Sequence, residues 1–287
     1  MRILLIGPKS KENEILVSET VKRGHAIKRL SIQQITYLLK DNEFEIYNGQ
    51  ESLDDYDVCL IRGINPFFAK AKTLAKALYR KGVKVVDREL YQKVYIFDKL
   101  FMYSALSYHE LPCLDTFYYP SVKAFKKFGG NIEYPVLLKD INGMHGRNIF
   151  FKNTENELED FFNWRKINNY FIQKFVPAEY YYRVLVVGNK VLGAMKRNTL
   201  SSIRKKRIPL EKRSHKSELT MELKRLALKA AKATNTDIAG VDIIYDGDKP
   251  YVLEVNRSPQ FKRFTQVVGV NVAGEIIDYL EKIYKSN

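Results

Sequence analysis

Two carboxylates and an amide stand close together near the C-terminal end of this 287-residue chain. Ala239-Gly-Val-Asp-Ile-Ile244 and Tyr251-Val-Leu-Glu-Val-Asn256 read as two strands joined by the turn Asp246-Gly-Asp248. Period-two alternation puts Glu254 and Asn256 on one face, and antiparallel pairing lets Asp242 lie opposite them. Three hard oxygen ligands gathered in this way suit Mg2+, or Mn2+ in its place, bridging nucleotide phosphates. The bland alternative is a pair of solvent-facing strand carboxylates. Glu254, however, sits between Leu253 and Val255 and runs into Arg257-Ser-Pro259, an odd setting for a residue that serves solubility alone.

A second signal lies in YPVLLKDINGMHGRNIFF, residues 134–151, where Lys139 ends an apolar strand and a short glycine-bearing loop leads into the next one. Gly143, Met144, His145 and Gly146 form that loop, whose backbone amides can fold over phosphates. Lys139 would add a point charge beside them. A plain β-hairpin competes with this reading, and His145 reads as a loop-packing residue rather than a base.

The elements that must position these residues alternate between strand and helix. Strands at Arg2–Ile6, Ala26–Leu30, 58–62 and 83–86, with helices at 14–23 and 67–80, make residues 1–95 a βα domain. Gly7 is isolated, and neither a G-x-G-x-x-G nor a P-loop pattern is present. Residues 96–176 read as a second unit. It has a helix at Lys99–Tyr108, a strand at 116–119, a helix after Pro120, a strand at 134–139, a T-x-x-E capping box at Thr154–Glu157 opening a helix through Trp164, and a strand at 170–175. Residues 177–287 form a third, with hairpins at 183–195 and 239–256, a basic irregular stretch from Lys196 to Lys216, a helix with Leu223, Leu226, Ala227 and Ala230 on one face, and a final amphipathic helix at 272–284.

Composition narrows the class further. With 45% hydrophobic residues the chain can bury a sizeable core. No apolar run approaches the ~20 residues of a membrane helix, and MRILLIG is no secretory leader, so a cytoplasmic protein without membrane partners is expected. Cys59 and Cys113 belong to no C-x-x-C pair, which indicates neither zinc nor a disulfide framework. Lys plus Arg number 48 against 33 Asp plus Glu, a formal charge of +15 that favours polyanionic partners without choosing among them.

Read in order, RVLVVGNKVLGAMKR from Arg183, LALKAAKAT from Leu226, AGVDII, LEVNRSP and the closing GVNVAGEII resemble the ATP-grasp superfamily, and within it the RimK-like amino-acid ligases. The resemblance covers almost the whole chain. It implies an α/β protein with the ATP-grasp fold: an N-terminal βα (pre-ATP-grasp) domain and two α+β lobes clasping ATP. It also implies an ADP-forming carbon–nitrogen ligase that makes an acyl phosphate on an acceptor carboxylate and couples it to an amino acid, glutamate above all. Lys99 and Lys139 would then hold ATP phosphates. Gln173, Lys174, Phe175 and Val176 would form the adenine hinge, Glu179 would hold the ribose, and Arg183 and Arg204 would face the transferred phosphate and acyl intermediate. Asp242, Glu254 and Asn256 would bind magnesium.

Three departures from the family pattern accompany these matches. Tyr181 stands where the family writes the Asp of D-x-R, Ile203–Lys206 replaces an F-R-x-N segment followed by paired glycines, and Gln260 occupies an expected glycine. The acceptor is accordingly expected to be an anionic carboxylate, such as an acidic peptide, a protein tail or a small cofactor, met by Lys205, Lys206 and Arg207. A homo-oligomer is also expected. The competing class is a noncatalytic, basic nucleic-acid or ribosome-binding protein on the same scaffold, supported by charge but by no RNA-recognition motif. Retention of Lys139, Asp242, Glu254 and Asn256 speaks against it.

Overall fold

A computed structural model of the chain describes residues 1–40, 43–92, 99–141, 148–199 and 214–286. Strand β1 (Arg2–Ile6) is buried along Ile3–Ile6, as an unbroken apolar run in the middle of a parallel sheet should be. Ser10 caps helix α1 (Lys11–Lys22), its Oγ accepting from the Asn13 amide at 3.2 Å, so the helix begins three residues before the expected Glu14. Strand β2 (Ala26–Leu30) follows. A three-stranded antiparallel sheet, β3 (Thr36–Lys40), β4 (Glu43–Asn48) and β5 (Glu51–Ser52), then intervenes before β6 (Val58–Ile61), helix α2 (Phe68–Arg80) and β7 (Lys84–Val86). The parallel order is β2-β1-β6-β7, which places the topological switch between β1 and β6. The small sheet escaped the sequence reading, although the alternation Glu43-Phe44-Glu45-Ile46 carries its signal and buries Ile46.

After the short helix α3 (Glu89–Gln92), helix α4 has the expected limits, Lys99–Tyr108. Strand β8 (Thr116–Tyr118), helix α5 (Val122–Phe128), strands β9 (Val136–Asp140) and β10 (Ile149–Lys152), helix α6 (Glu155–Trp164) and strand β11 (Tyr170–Lys174) complete the second unit. Its sheet runs β10-β9-β11-β8, all antiparallel, over a core of Phe125, Leu138, Leu158, Phe162 and Ile172. The expected capping box is half formed. Thr154 accepts from the Glu157 amide, but the Glu157 carboxylate accepts from Asn153, one residue further out than the reciprocal bond requires.

The last unit is a five-stranded antiparallel sheet, in the order β14-β13-β12-β15-β16. Its strands are β12 (Tyr180–Val187), β13 (Lys190–Asn198), β14 (Ser214–Ser217), β15 (Ile238–Asp246) and β16 (Lys249–Asn256), with helices α7 (Met221–Ala233), α8 (Lys262–Val268) and α9 (Val272–Lys285). The stretch expected to be irregular from Lys196 to Lys216 is corrected at both ends. Lys196–Asn198 finish β13, with Lys196 opposite His215 and Arg197 opposite Ser214 of β14 and Asn198 opposite Tyr180 of β12. Their charge hid the strand, because only one side chain in two needs to be apolar, or neither on a solvated face.

Packing joins the units. Val272, Ile276, Ile277 and Leu280 of α9 share one core with Ile3 and Leu5 of β1 and Leu16 of α1, so the C-terminal helix closes on the N-terminal sheet. Met102, Tyr103 and Leu106 of α4 share another with α7, β12 and β15. Among the described residues no helix is long and apolar enough to cross a membrane.

Candidate active site

Three charged side chains stand in a row across β12, β15 and β16. Arg183 lies directly opposite Asp242, and Asp242 directly opposite Glu254. The Arg183 guanidinium grips Asp242 with both prongs, Nε donating to Oδ1 at 2.7 Å and Nη2 to Oδ2 at 2.6 Å. The pair is nearly dry, with side chains 12% and 7% exposed. Burial works against the arginine charge, but the attraction and hydrogen bonds of Asp242 outweigh it and hold the guanidinium above its ordinary range. Each carboxylate oxygen still has a lone pair free of the fork.

The pairing of β15 with β16 slips by one residue after Asp242, so that Ile243 faces Val252 and Leu253 is the extra residue. The Leu253 carbonyl accepts from the Tyr103 hydroxyl at 2.7 Å. Two residues beyond Glu254 on the same face, Asn256 lies opposite Gly240 and donates Nδ2 to its carbonyl at 3.3 Å. That bond fixes the amide and leaves Oδ1, the atom that could face a cation, outside the hydrogen bonds among described residues. Two carboxylates on one rung and an amide oxygen two residues along the same face fit a hard cation that takes its other ligands from phosphate and water. Among the described residues no set of three or more His, Cys, Asp or Glu side chains offers a rival metal site.

Lys139 of β9 meets this hairpin from the central lobe. Its Nζ donates to Gln173 Oε1 at 2.5 Å, and Gln173, fully buried, donates Nε2 to the Tyr103 hydroxyl and to Thr116 Oγ1, both at 2.9 Å. A hydrogen-bonded chain thus runs from Lys139 through Gln173 and Tyr103 to the backbone of β16. Burial pushes the Lys139 ammonium down to about 8, against the pull of Glu254 and Asp242, with Lys99 adding repulsion. Lys99 donates to the Asp140 carbonyl at 3.3 Å. Two clustered cations with one strongly desolvated make a place where a polyanion would be welcome.

The remaining expected residues are scattered in role. The Gln173 side chain is consumed by the chain just described, Lys174 pairs with Asp246 at 2.9 Å, and Phe175 packs edge-on against Phe151. Val176 lies with Leu114 and Ile244 in a small apolar cluster flanked by Tyr181 and Leu253. The Glu179 carbonyl accepts from the Thr199 amide at 2.9 Å. Tyr181, at the departed Asp position, faces Arg197, whose guanidinium stands over its ring at 5.6 Å. Gly143, Met144, His145, Gly146 and Arg204, with Lys205, Lys206 and Arg207, lie outside the described residues. Tyr103 and Thr116 were missed by sequence reasoning, since neither type advertises a lobe-bridging hydrogen bond.

Comparison with known proteins places the chain in a family. Residues 109–280 match the model of the RimK-like ATP-grasp domain. A probable alpha-L-glutamate ligase of Marinobacter nauticus is 28% identical over 283 residues, covering 94% of this chain and 91% of that protein. Beta-citrylglutamate synthase B of Danio rerio is 25% identical over 268 residues, 90% of this chain, and the chain spans only 66% of that relative's length. Among solved structures, the ATP-grasp ligase PsnB complexed with a minimal precursor superposes with a TM-score of 0.73, covering 99% of both chains. At 18% identity that likeness speaks to the fold.

Proposed function

The chain belongs to the RimK-like ATP-grasp family, and on that premise we propose that it is an ATP-dependent carboxylate–amine ligase that couples an amino acid, glutamate, to an anionic acceptor carboxylate. The observation that carries this reading is the convergence of Lys139 from the central lobe with Asp242, Glu254 and Asn256 of the C-terminal hairpin, close enough for both carboxylates to act on the lysine charge. Residues 1–95, 96–176 and 177–287 are taken as its three units, with α4 packed into the core of the third.

A carboxylate is a poor electrophile, so the reaction needs two displacements. One acceptor oxygen attacks the γ-phosphorus, the bond to the β,γ-bridging oxygen breaks and ADP leaves. The amine nitrogen then attacks the acyl carbon, the bond to the phosphate oxygen breaks, and inorganic phosphate and a proton depart. Lys139 and Lys99 bind and orient the phosphates, and binding an anion repays the desolvation that Lys139 suffers in the free protein. Arg183 keeps donors on its outer edge after serving Asp242, which suits it to the oxygen where negative charge gathers. Mg2+, or Mn2+ in its place, held by Asp242, Glu254 and Asn256, would neutralise charge between the phosphates. The acyl phosphate must be kept from water until the amine attacks.

The test is ADP release from Mg-ATP in the presence of glutamate and mixtures of acidic peptides and di- or tricarboxylates, with products weighed by mass spectrometry. A product heavier than its acceptor by one glutamyl residue, formed with stoichiometric ADP, is expected. ATP turnover that ignores both added carboxylate and added amine would overturn the reading.

A further inference from the structure

The C-terminal ends of the parallel strands β6 and β7 converge on one turn in the C-terminal lobe. Arg62 donates Nη2 to the Pro259 carbonyl at 3.1 Å, the Gly63 amide donates to Ser258 Oγ at 3.0 Å, and the Asp87 carboxylate stands 3.5 Å from Arg257 Nη1. These contacts hold residues Arg257–Pro259, the turn that leaves Asn256. From the other side Pro259 is pressed against Gly240, where a Cβ would come within 2.9 Å of the Pro259 Cβ and 3.8 Å of the Asn256 Cβ. Gly240 is the residue whose carbonyl anchors the Asn256 amide. Asn256 is therefore located by a turn that the N-terminal domain grips.

Arg62 is a costly way to provide one such hydrogen bond. It is 5% exposed, stacks its guanidinium 5.3 Å from the Phe261 ring centroid, and has no carboxylate within ion-pair distance among the described residues. Its Nη1 makes no hydrogen bond, and burial lowers its pKa to about 10. A buried cation so poorly compensated adds little or nothing to stability, and an apolar residue of similar length often does as well or better. What an apolar residue does not supply is a fixed position for the Pro259 carbonyl.

We propose that Arg62 is a positioning residue for the metal site: through the Pro259 carbonyl, with Gly63 on Ser258 beside it, it fixes the turn after Asn256 and so sets where Asn256 Oδ1 stands relative to Asp242 and Glu254. This rests on the reading of Asn256 as a metal ligand. Supporting groups of this kind change metal affinity by about 10- to 100-fold when lost.

The experiment titrates Mg2+ and ADP into the full chain by calorimetry at low and high free Mg2+ and without Mg2+, and records melting temperature without nucleotide, for Arg62→Met, Arg62→Lys, Ser258→Ala and Asn256→Ala. Arg62→Met is expected to lose about tenfold in ADP affinity at low Mg2+, to recover at high Mg2+, to bind metal-free ADP as the parent does, and to melt no lower. Arg62→Lys, which keeps one donor for the Pro259 carbonyl, should restore part of the loss, and Ser258→Ala should show a smaller loss of the same kind. Equal losses with and without Mg2+, together with a lower melting temperature, would make Arg62 merely structural and overturn the proposal. So would parental Mg2+ dependence in Arg62→Met and Ser258→Ala while Asn256→Ala loses affinity. Parental Mg2+ dependence in Asn256→Ala itself would instead show that the metal assignment has failed, and the positioning role would fall with it. Should Arg62→Met not fold, the lysine and Ser258 variants decide by the same criteria.

Discussion

Arg183 and Asp242 form a two-pronged pair across β12 and β15, with Nε and Nη2 of the arginine 2.7 and 2.6 Å from the two carboxylate oxygens. The carboxylate expected at the metal therefore also compensates a buried cation. Removing it does two things at once.

Asp242→Asn should abolish turnover and also destabilise the fold by roughly 3 kcal/mol, because it leaves a buried guanidinium without its counter-charge. Glu254→Gln should abolish turnover with a change of under about 1 kcal/mol, since among the described residues Glu254 makes no ion pair to break. Urea denaturation of the two variants separates the roles. Equal stabilities would show that Arg183 finds another partner.

Lys139 should link nucleotide binding to proton uptake. Its folded pKa, about 8, lies below the ordinary lysine value of 10.5, so burial costs stability in full below pH 8 and the cost fades as pH rises from 8 toward 10.5. Phosphates favour the ammonium and should raise its pKa on binding. Calorimetry in buffers of different ionisation enthalpy should register proton uptake near pH 8.5 with Mg-ATP, and none for Lys139→Met, which should bind ATP at least tenfold more weakly. Identical proton counts in parent and variant would remove Lys139 from the phosphate site.

Asp87 should make the protein less stable as pH rises through the neutral approach. Burial pushes its carboxyl up to about 7, from 3.8, against the opposing pull of Arg257 and with the repulsion of Asp237 added. The folded state thus holds a proton that the unfolded chain has released, and stability falls between about pH 4 and pH 7, then levels. Asp87→Asn should flatten that slope in urea titrations at pH 5 and pH 8. An unchanged slope would assign it to other groups.

Tyr103→Phe should uncouple the lobes mildly. It removes the donor to the Leu253 carbonyl and the acceptor for Gln173 Nε2, at a cost of about 1–2 kcal/mol. Because Gln173 also seats Lys139, the KM for ATP should rise several-fold with kcat less affected. A parental KM would show that Thr116 alone suffices to hold Gln173.

Local pattern reached far into this protein. Helix α4 begins and ends where its apolar spacing says, and the alternation in Leu253-Glu-Val-Asn256 places Glu254 and Asn256 on one face whatever the rest of the chain does. Both follow from the fixed geometry of helix and strand. The strands at Thr36–Ser52 and the strand ends at Lys196–Asn198 and Ser214–Ser217 were obscured, because polar and charged residues satisfy a half-solvated strand as readily as a loop.

Tertiary structure decided the partners. That Arg183 meets Asp242 depends on the register of β12 against β15, strands separated by β13, β14 and α7 in sequence, and a slip of one residue would send either side chain to the other face. Gln173 reads as part of a hinge, yet a buried amide must bond wherever donors and acceptors are within reach, and those came from Lys139, Tyr103 and Thr116. Arg62 carries no motif at all. Its bond to Pro259 spans 197 residues and exists because α9 folds back onto the N-terminal sheet and seats one domain against the other. Alternation and caps are encoded within a few residues, whereas contacts at such separation are set only when several apolar faces are buried together.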